Sequence, residues 1–158
     1  FTWYAEGGAQ RTKVEAGEDD DIDEKQTSYL FSTGAEREWE RTRLQAEASR
    51  SVDPSGSGFL KTRNAVKINI RHQLRPRWQA SLAILAARED DVDDVTEVNK
   101  RDFARALAKL SWQWTPEWFI EAGYRYTYQD YDDTPGDANS NEVLLGVRYR
   151  PTRKTWSR

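Results

Sequence analysis

Along residues 118–128 apolar and polar side chains alternate. Trp118, Ile120, Ala122, Tyr124, Tyr126 and Tyr128 take the even positions, and Phe119, Glu121, Gly123, Arg125, Thr127 and Gln129 the odd ones. A period of two is a strand's period, because successive side chains project to opposite faces. The same design recurs at 104–114 (Ala104, Ala106, Ala108, Leu110, Trp112 and Trp114 on one face), 78–86 (Trp78, Ala80, Leu82, Ile84, Ala86), 143–150 (Val143, Leu145, Val147, Tyr149) and 65–71 (Val66, Ile68, Ile70). Weaker versions lie at 1–10, 29–39 and 42–48. Eight strands are therefore predicted.

Their connections alternate in length. Glu40-Arg41, RPR (75–77) and TPE (115–117) are short enough for tight antiparallel hairpins. The others, GEDDDIDEKQ, DPSGSG, EDDVDDVTEVNK and DYDDTPGDANS, are longer and rich in acid and turn residues. Short turns thus gather at one end and long loops at the other, with both chain ends on the short-turn side. A helical reading competes at EREWERTRLQAEASR and NKRDFARALAKL, which are rich in helix formers, the second with Phe103, Ala106, Leu107 and Leu110 on one stripe. Six apolar choices in a row at even positions from 104 to 114 favour the strand.

Composition decides what covers the apolar face. Only 37% of the 158 residues are hydrophobic and mean hydropathy is −0.95, so no water-soluble core stands out. Charged residues make up 32% at a net charge of −3, which supplies no field for nucleic acid or for anionic lipid. No apolar run approaches the ~20 residues of a membrane helix. The chain starts at Phe1 without a basic-then-apolar leader, compatible with a removed signal peptide or a longer N-terminal part.

The aromatic residues are banded. Trp39, Trp78, Trp112, Trp114 and Trp118 sit within a few residues of a short turn and on the apolar face, whereas Tyr29, Phe31, Tyr126 and Tyr128 gather at the loop end. Indole and phenol rings favour the boundary between hydrocarbon and headgroups. Ten steps from Trp118 to Tyr128, at roughly 3.3 Å each and a tilt near 40°, span about 25 Å, the height of an outer-membrane barrel's lipid band. The membrane-interface set expected from this is Trp39, Trp78, Trp112, Trp114, Trp118, Tyr124, Tyr126, Tyr128 and Tyr149. A soluble two-sheet core or ligand pocket is the competing use of these aromatics, but it leaves a core mostly of alanine.

With the apolar face in lipid, the opposite face lines a lumen. It holds Glu6, Glu36, Glu38, Glu47 and Glu121 together with Arg43, Lys67, Arg71, Arg105, Lys109, Arg125, Arg148 and Arg150. In a closed eight-stranded barrel these side chains interlock as a salt-bridged plug. In a wider barrel they wet a channel wall whose modest excess of base favours anionic solutes.

Other chemistry is thin. Acid clusters at Asp19, Asp20, Asp21 and Asp23, at Asp90, Asp91, Asp93 and Asp94, and at Asp130, Asp132, Asp133 and Asp137 do not follow the spaced EF-hand pattern and read as solvated loops. No cysteine is present. His72, the single histidine, falls on the outward face near a short turn, an interfacial position away from any Ser or Asp partner. Glu36 and Glu38 share a face as a possible carboxylate pair, with Arg43 across the hairpin as the plainer explanation. No phosphate loop or nucleophile elbow appears. No cofactor, metal or catalytic residue is expected.

The segment WFIEAGYRYTYQDYDD…ANSNEVLLGVRYRP (118–151) resembles the C-terminal hairpin of Gram-negative outer-membrane β-barrels, particularly porins found beside exopolysaccharide-export genes. In those families the last strand commonly reads Gly, two residues, aromatic, residue, aromatic, the signal for the barrel-assembly machinery. Gly146 and Tyr149 match, whereas Pro151 stands where the final aromatic often does and TRKTWSR follows. The resemblance implies an antiparallel, up-and-down transmembrane β-barrel in the bacterial outer membrane. The chain would be a whole eight-stranded barrel or the closing part of a wider one. The partners it implies are outer-membrane lipid and lipopolysaccharide, the assembly machinery during insertion, and another envelope protein. The expected role is structural or transport-associated and non-enzymatic. A soluble barrel binding an apolar ligand and a lipid-modifying barrel enzyme are the readings from other classes. Arg37 and Arg50 fall on the nominal lipid face, where they would snorkel toward headgroups or contact another protein.

Overall fold

The computed structural model describes residues 1–15, 23–54, 60–91, 100–131 and 136–151. They form one eight-stranded sheet: β1 (Thr2–Glu15), β2 (Asp23–Glu38), β3 (Thr42–Pro54), β4 (Leu60–Arg75), β5 (Trp78–Asp91), β6 (Arg101–Gln113), β7 (Trp118–Tyr131) and β8 (Ala138–Tyr149). Each strand pairs antiparallel with the next in sequence, an up-and-down meander. No helix occurs among the described residues; of the two stretches rich in helix formers, 36–38, 42–50 and 101–110 are strand. The acid positions Asp19 to Asp21, Asp93, Asp94, Asp132 and Asp133, and the TRKTWSR tail, lie outside the described residues.

The strands are longer than the sequence pattern marks. β4 extends five residues before and four after the alternating run at 65–71, and β2, β3, β5 and β7 reach into stretches read as loop. Alternating hydropathy marks only the part of a strand with one face in an apolar medium, so the polar extensions carry no such signal. The short turns lie where expected. Backbone bonds from Trp39 N to Thr42 O (2.8 Å) and from Trp114 N to Trp118 O (3.0 Å) close two of them.

Register gives the sheet its shape. A line of paired neighbours runs through Trp3, Ala35, Ala46, Ile68, Ile84, Ala106, Tyr126 and Asn141. Thr2, at the turn end of β1, lies one residue from that line, and Tyr149, at the same end of β8, lies eight. The sheet therefore slips by seven residues over seven steps, one residue per strand. A slip of about 3.4 Å per ~4.8 Å of strand spacing is a tilt of about 35°, within the range of closed barrels. β1 and β8 do not meet, so the curved sheet is open along those two edges.

Its apolar face is turned out. Ile84, Leu110, Ile120, Tyr124 and Tyr126 are exposed, and on β8 Val143, Leu145 and Val147 are 74%, 82% and 66% exposed. Along β7 the even positions from Trp118 to Tyr126 are exposed while the odd ones between them are half-buried on the concave side. Among the described residues the buried apolar side chains are Val52, Ala65 and Ala87, and no large side chain is fully enclosed. Leaving a Val, Leu or Ile in water forgoes roughly 1.5–3 kcal/mol each, and soluble monomers do not carry so continuous an apolar surface. The fold is consistent only if that face meets a non-aqueous environment.

Candidate functional site

The alternation places the odd residues of β3 to β7 and the even residues of β8 on one concave face. There Arg43, Gln45, Asn69, Arg71, Lys109 and Glu121, with others of the same parity, surround a cleft of about 590 Å³ toward the short-turn end. Each strand supplies its polar set for the same reason: with one face committed to apolar side chains, every charge must project from the other.

These charges are joined across neighbouring strands. Arg43 Nη2 lies 2.5 Å from Glu36 Oε1, and the Gln45 side-chain amide donates to Glu36 Oε2 at 2.9 Å. Lys67 Nζ reaches Glu47 at 3.2 Å. Glu121, only 18% exposed, holds Arg148 at 2.7 Å with one carboxylate oxygen and Lys109 at 3.5 Å with the other. Arg125 pairs with Glu142 at 2.6 Å. Arg148 and Arg150 both approach the Phe119 ring, at 5.2 and 5.9 Å, and Arg105 lies 5.1 Å from the Phe103 centroid. Glu38 stands opposite Arg43 in register, and Glu6 opposite Ser32. Arg71 faces Arg43 directly, two like charges across one strand pair.

A second network on the same face lies nearer the long loops, and hydropathy alternation did not mark it. Glu89 bridges Arg63 (3.7 Å) and Arg101 (3.5 Å), and Arg101 also donates to Gln129 Oε1 at 2.8 Å. Its signal was parity alone: 63, 89, 101 and 129 continue the odd positions of their strands beyond the apolar stretch. Glu142 was missed for the same reason.

The outer face carries the aromatic band. Trp78 and Trp112 stack across β5 and β6, centroids 5.6 Å apart and planes at 14°, and Trp118 meets Tyr149 at 4.9 Å. Trp39 and Trp114 sit in turns just beyond β2 and β6, both exposed. Tyr124, Tyr126 and Tyr128 climb the outer face of β7, the Tyr124 hydroxyl donating to Asn141. Arg37 lays its guanidinium 4.7 Å from the Trp39 ring, so this outward arginine belongs to the turn-end girdle. Arg50 is exposed on the same side, between Phe31 and Asn64. At the opposite limit Arg88 grips Asp102 with two hydrogen bonds of 2.8 and 2.7 Å. His72 is outward as expected, its Nδ1 2.7 Å from the Thr42 hydroxyl. From Trp78 to Ala86 and from Trp118 to Tyr128 the apolar stretch rises about 22–28 Å at the tilt derived above.

Among the described residues no three His, Cys, Asp or Glu side chains group as metal ligands. The family model described as Putative beta-barrel porin 2 matches residues 26–151. The chain belongs to that family. Neither a curated protein nor a solved structure matches it. The porin match begins inside β2 and runs to the residue after Arg150, so it takes in the whole of the charged cleft and both aromatic bands, with β1 preceding it. The resemblance of the C-terminal hairpin to outer-membrane barrels thus extends over most of the chain, and the all-β, up-and-down architecture is that of a β-barrel porin.

Proposed function

We propose that this chain forms wall of an outer-membrane β-barrel through which hydrophilic solutes pass, with the short turns on the periplasmic side and no chemistry of its own. The observation that carries this reading is the direction of the ion pairs. The ion pairs of Arg43, Arg63, Lys67, Arg101, Lys109, Arg125 and Arg148, and that of Arg88 with Asp102, each join adjacent strands, β2 to β3, β3 to β4, β4 to β5, β5 to β6, β6 to β7 or β7 to β8. A plug needs side chains that meet across the lumen. A wall needs them satisfied along the sheet with their remaining hydrogen-bonding capacity turned to water, and their partial exposure is of that kind.

The outward apolar band supports contact with outer-membrane lipid and the lipid moiety of lipopolysaccharide, and insertion would use the barrel-assembly machinery. The β1 and β8 edges point the same way. Unpaired N–H and C=O groups cost several kcal/mol each in hydrocarbon, so in a membrane both edges are paired, with each other or with further strands of an envelope protein. A slip of one residue per strand would set Leu145 beside Gly7 if these eight strands closed on themselves, and a cysteine at each position reports that closure by forming a disulfide.

The decisive experiment is conductance of the refolded protein in planar bilayers. Discrete, reproducible current steps are expected. A correctly folded protein that leaves the bilayer electrically silent contradicts a conducting wall and returns the charged face to the role of a plug.

A further inference from the structure

The concave face is not evenly charged. Toward β1 to β3 it carries Glu6, Glu36, Glu38 and Glu47, whereas the cleft under β4 to β8 gathers Arg71, Lys109, Arg148 and Arg150, with Arg43 at its margin. Against these five cations stand Glu121 in the lining and Glu36 beside Arg43, a surplus of three. Two of the guanidiniums are uncommitted to any carboxylate among the described residues. Arg71 lies opposite Arg43, whose own charge is spent on Glu36, and the Arg150 guanidinium lies over the Phe119 ring. Like charges placed directly across a strand pair are destabilising, and a fold concerned only with its own stability would set an acid there, as it does at Lys67 and Glu47. Neutral donors from Asn69, Gln79 and Ser111 line the same cleft.

We infer that this cleft is a recognition site for oxyanions, a station at which carboxylate- or phosphate-bearing solutes shed part of their water onto Arg71 and Arg150. Guanidinium presents paired N–H donors in the geometry of a carboxylate or phosphate edge. Arg43, Lys109 and Arg148, held in place by their own carboxylates, supply the surrounding field. The inference rests on the proposal that the concave face is a solute path. It adds the sign of the solute and the residues that read it.

The test uses the refolded chain, with Arg71→Gln/Arg150→Gln and Arg71→Glu/Arg150→Glu as variants, each checked for folding by circular dichroism and heat-modifiable gel mobility. Under a potassium chloride gradient the reversal potential of the parent protein should show anion preference. The Gln pair should reduce that preference several-fold, and the Glu pair should invert it. Inorganic phosphate or acetate, added at millimolar concentration, should lower the chloride current of the parent and leave that of the Gln pair unchanged, and the order of the two separates phosphate from carboxylate preference. Conductance without anion preference, or preference untouched by both variants, overturns the inference while leaving solute passage intact. Absence of conductance strikes the passage reading instead. The site is then judged by equilibrium dialysis of radiolabelled phosphate against detergent-folded protein. Saturable binding that the Gln pair abolishes supports it, and none, or binding that the Gln pair retains, overturns it.

Discussion

Leu82 and Ala83 are adjacent in sequence and opposite in environment. Leu82 projects outward between Ile70 and Ala108, and Ala83 projects into the concave face between Asn69 and Leu107. Leu82 is four steps along β5 from Trp78 of the girdle. At about 3.4 Å per residue and a tilt of about 35°, Leu82 lies about 11 Å above the tryptophan ring, close to the middle of a lipid band about 25 Å tall. An arginine facing lipid at that depth costs about 2–4 kcal/mol. The same side chain at Ala83 enters a polar cleft that already holds Arg71 and Lys109, where water screens it, and should cost below about 1 kcal/mol. The assay is reversible denaturant unfolding in phospholipid vesicles, followed by tryptophan fluorescence. Leu82→Arg should lose several times the stability that Ala83→Arg loses. Equal costs, or a larger cost at Ala83, would refute the assignment of the two faces.

Three other perturbations probe separate parts of the account. Glu121→Gln strips Arg148 and Lys109 of their shared, largely buried carboxylate, so unfolding in vesicles should show a loss of about 1–3 kcal/mol, and the reversal potential should move further toward anions. Asp102→Ala removes a carboxylate that Arg88 holds, but the Asp102 and Arg88 side chains are 44% and 59% exposed. An exposed pair outside the lipid band contributes below about 1 kcal/mol, and a measured loss of several kcal/mol would place the pair inside that band. Gly34 is buried under the Tyr4 ring, and a Cβ there would stand 2.5 Å from Tyr4 Cε1. Gly34→Val should cost about 1–2 kcal/mol by displacing the phenol, and in a Tyr4→Ala background most of that cost should vanish.

The sequence was most informative where lipid imposes a two-residue period. All eight strands fall where alternation or its weaker form marked them, and the short turns after Glu38, Arg75 and Gln113 were legible because a Pro or a charge pair interrupts the apolar face. In the ladder Arg43, Lys67, Arg105, Lys109 and Arg125 take the positions between the apolar ones, a parity that register carries from strand to strand. Strand ends were not legible. Above the apolar band both faces of a hairpin meet water, so residues such as Lys61, Arg63 and Glu89 carry no contrast to read, although they are paired in the ladder. The Arg88–Asp102 pair was hidden for a related reason: two charges on the outward face contradict a lipid strand until their height is known. Pairing partners within the charged face needed register, since Glu121 could satisfy Lys109 or Arg148 on sequence grounds and in fact serves both.

The orientation of the faces is tested most directly by cysteine scanning along β7, which the chain permits because it contains no cysteine of its own. Single cysteines at positions 119 to 126 would be challenged in lipid vesicles with a charged, membrane-impermeant thiol reagent, and separately labelled with a fluorophore that brominated lipid quenches. Positions 119, 121, 123 and 125 should react from water and escape quenching, and positions 120, 122, 124 and 126 should resist the reagent and be quenched. The opposite phase, or reactivity that does not alternate at all, would contradict a sheet that turns its apolar side to lipid and encloses its charges.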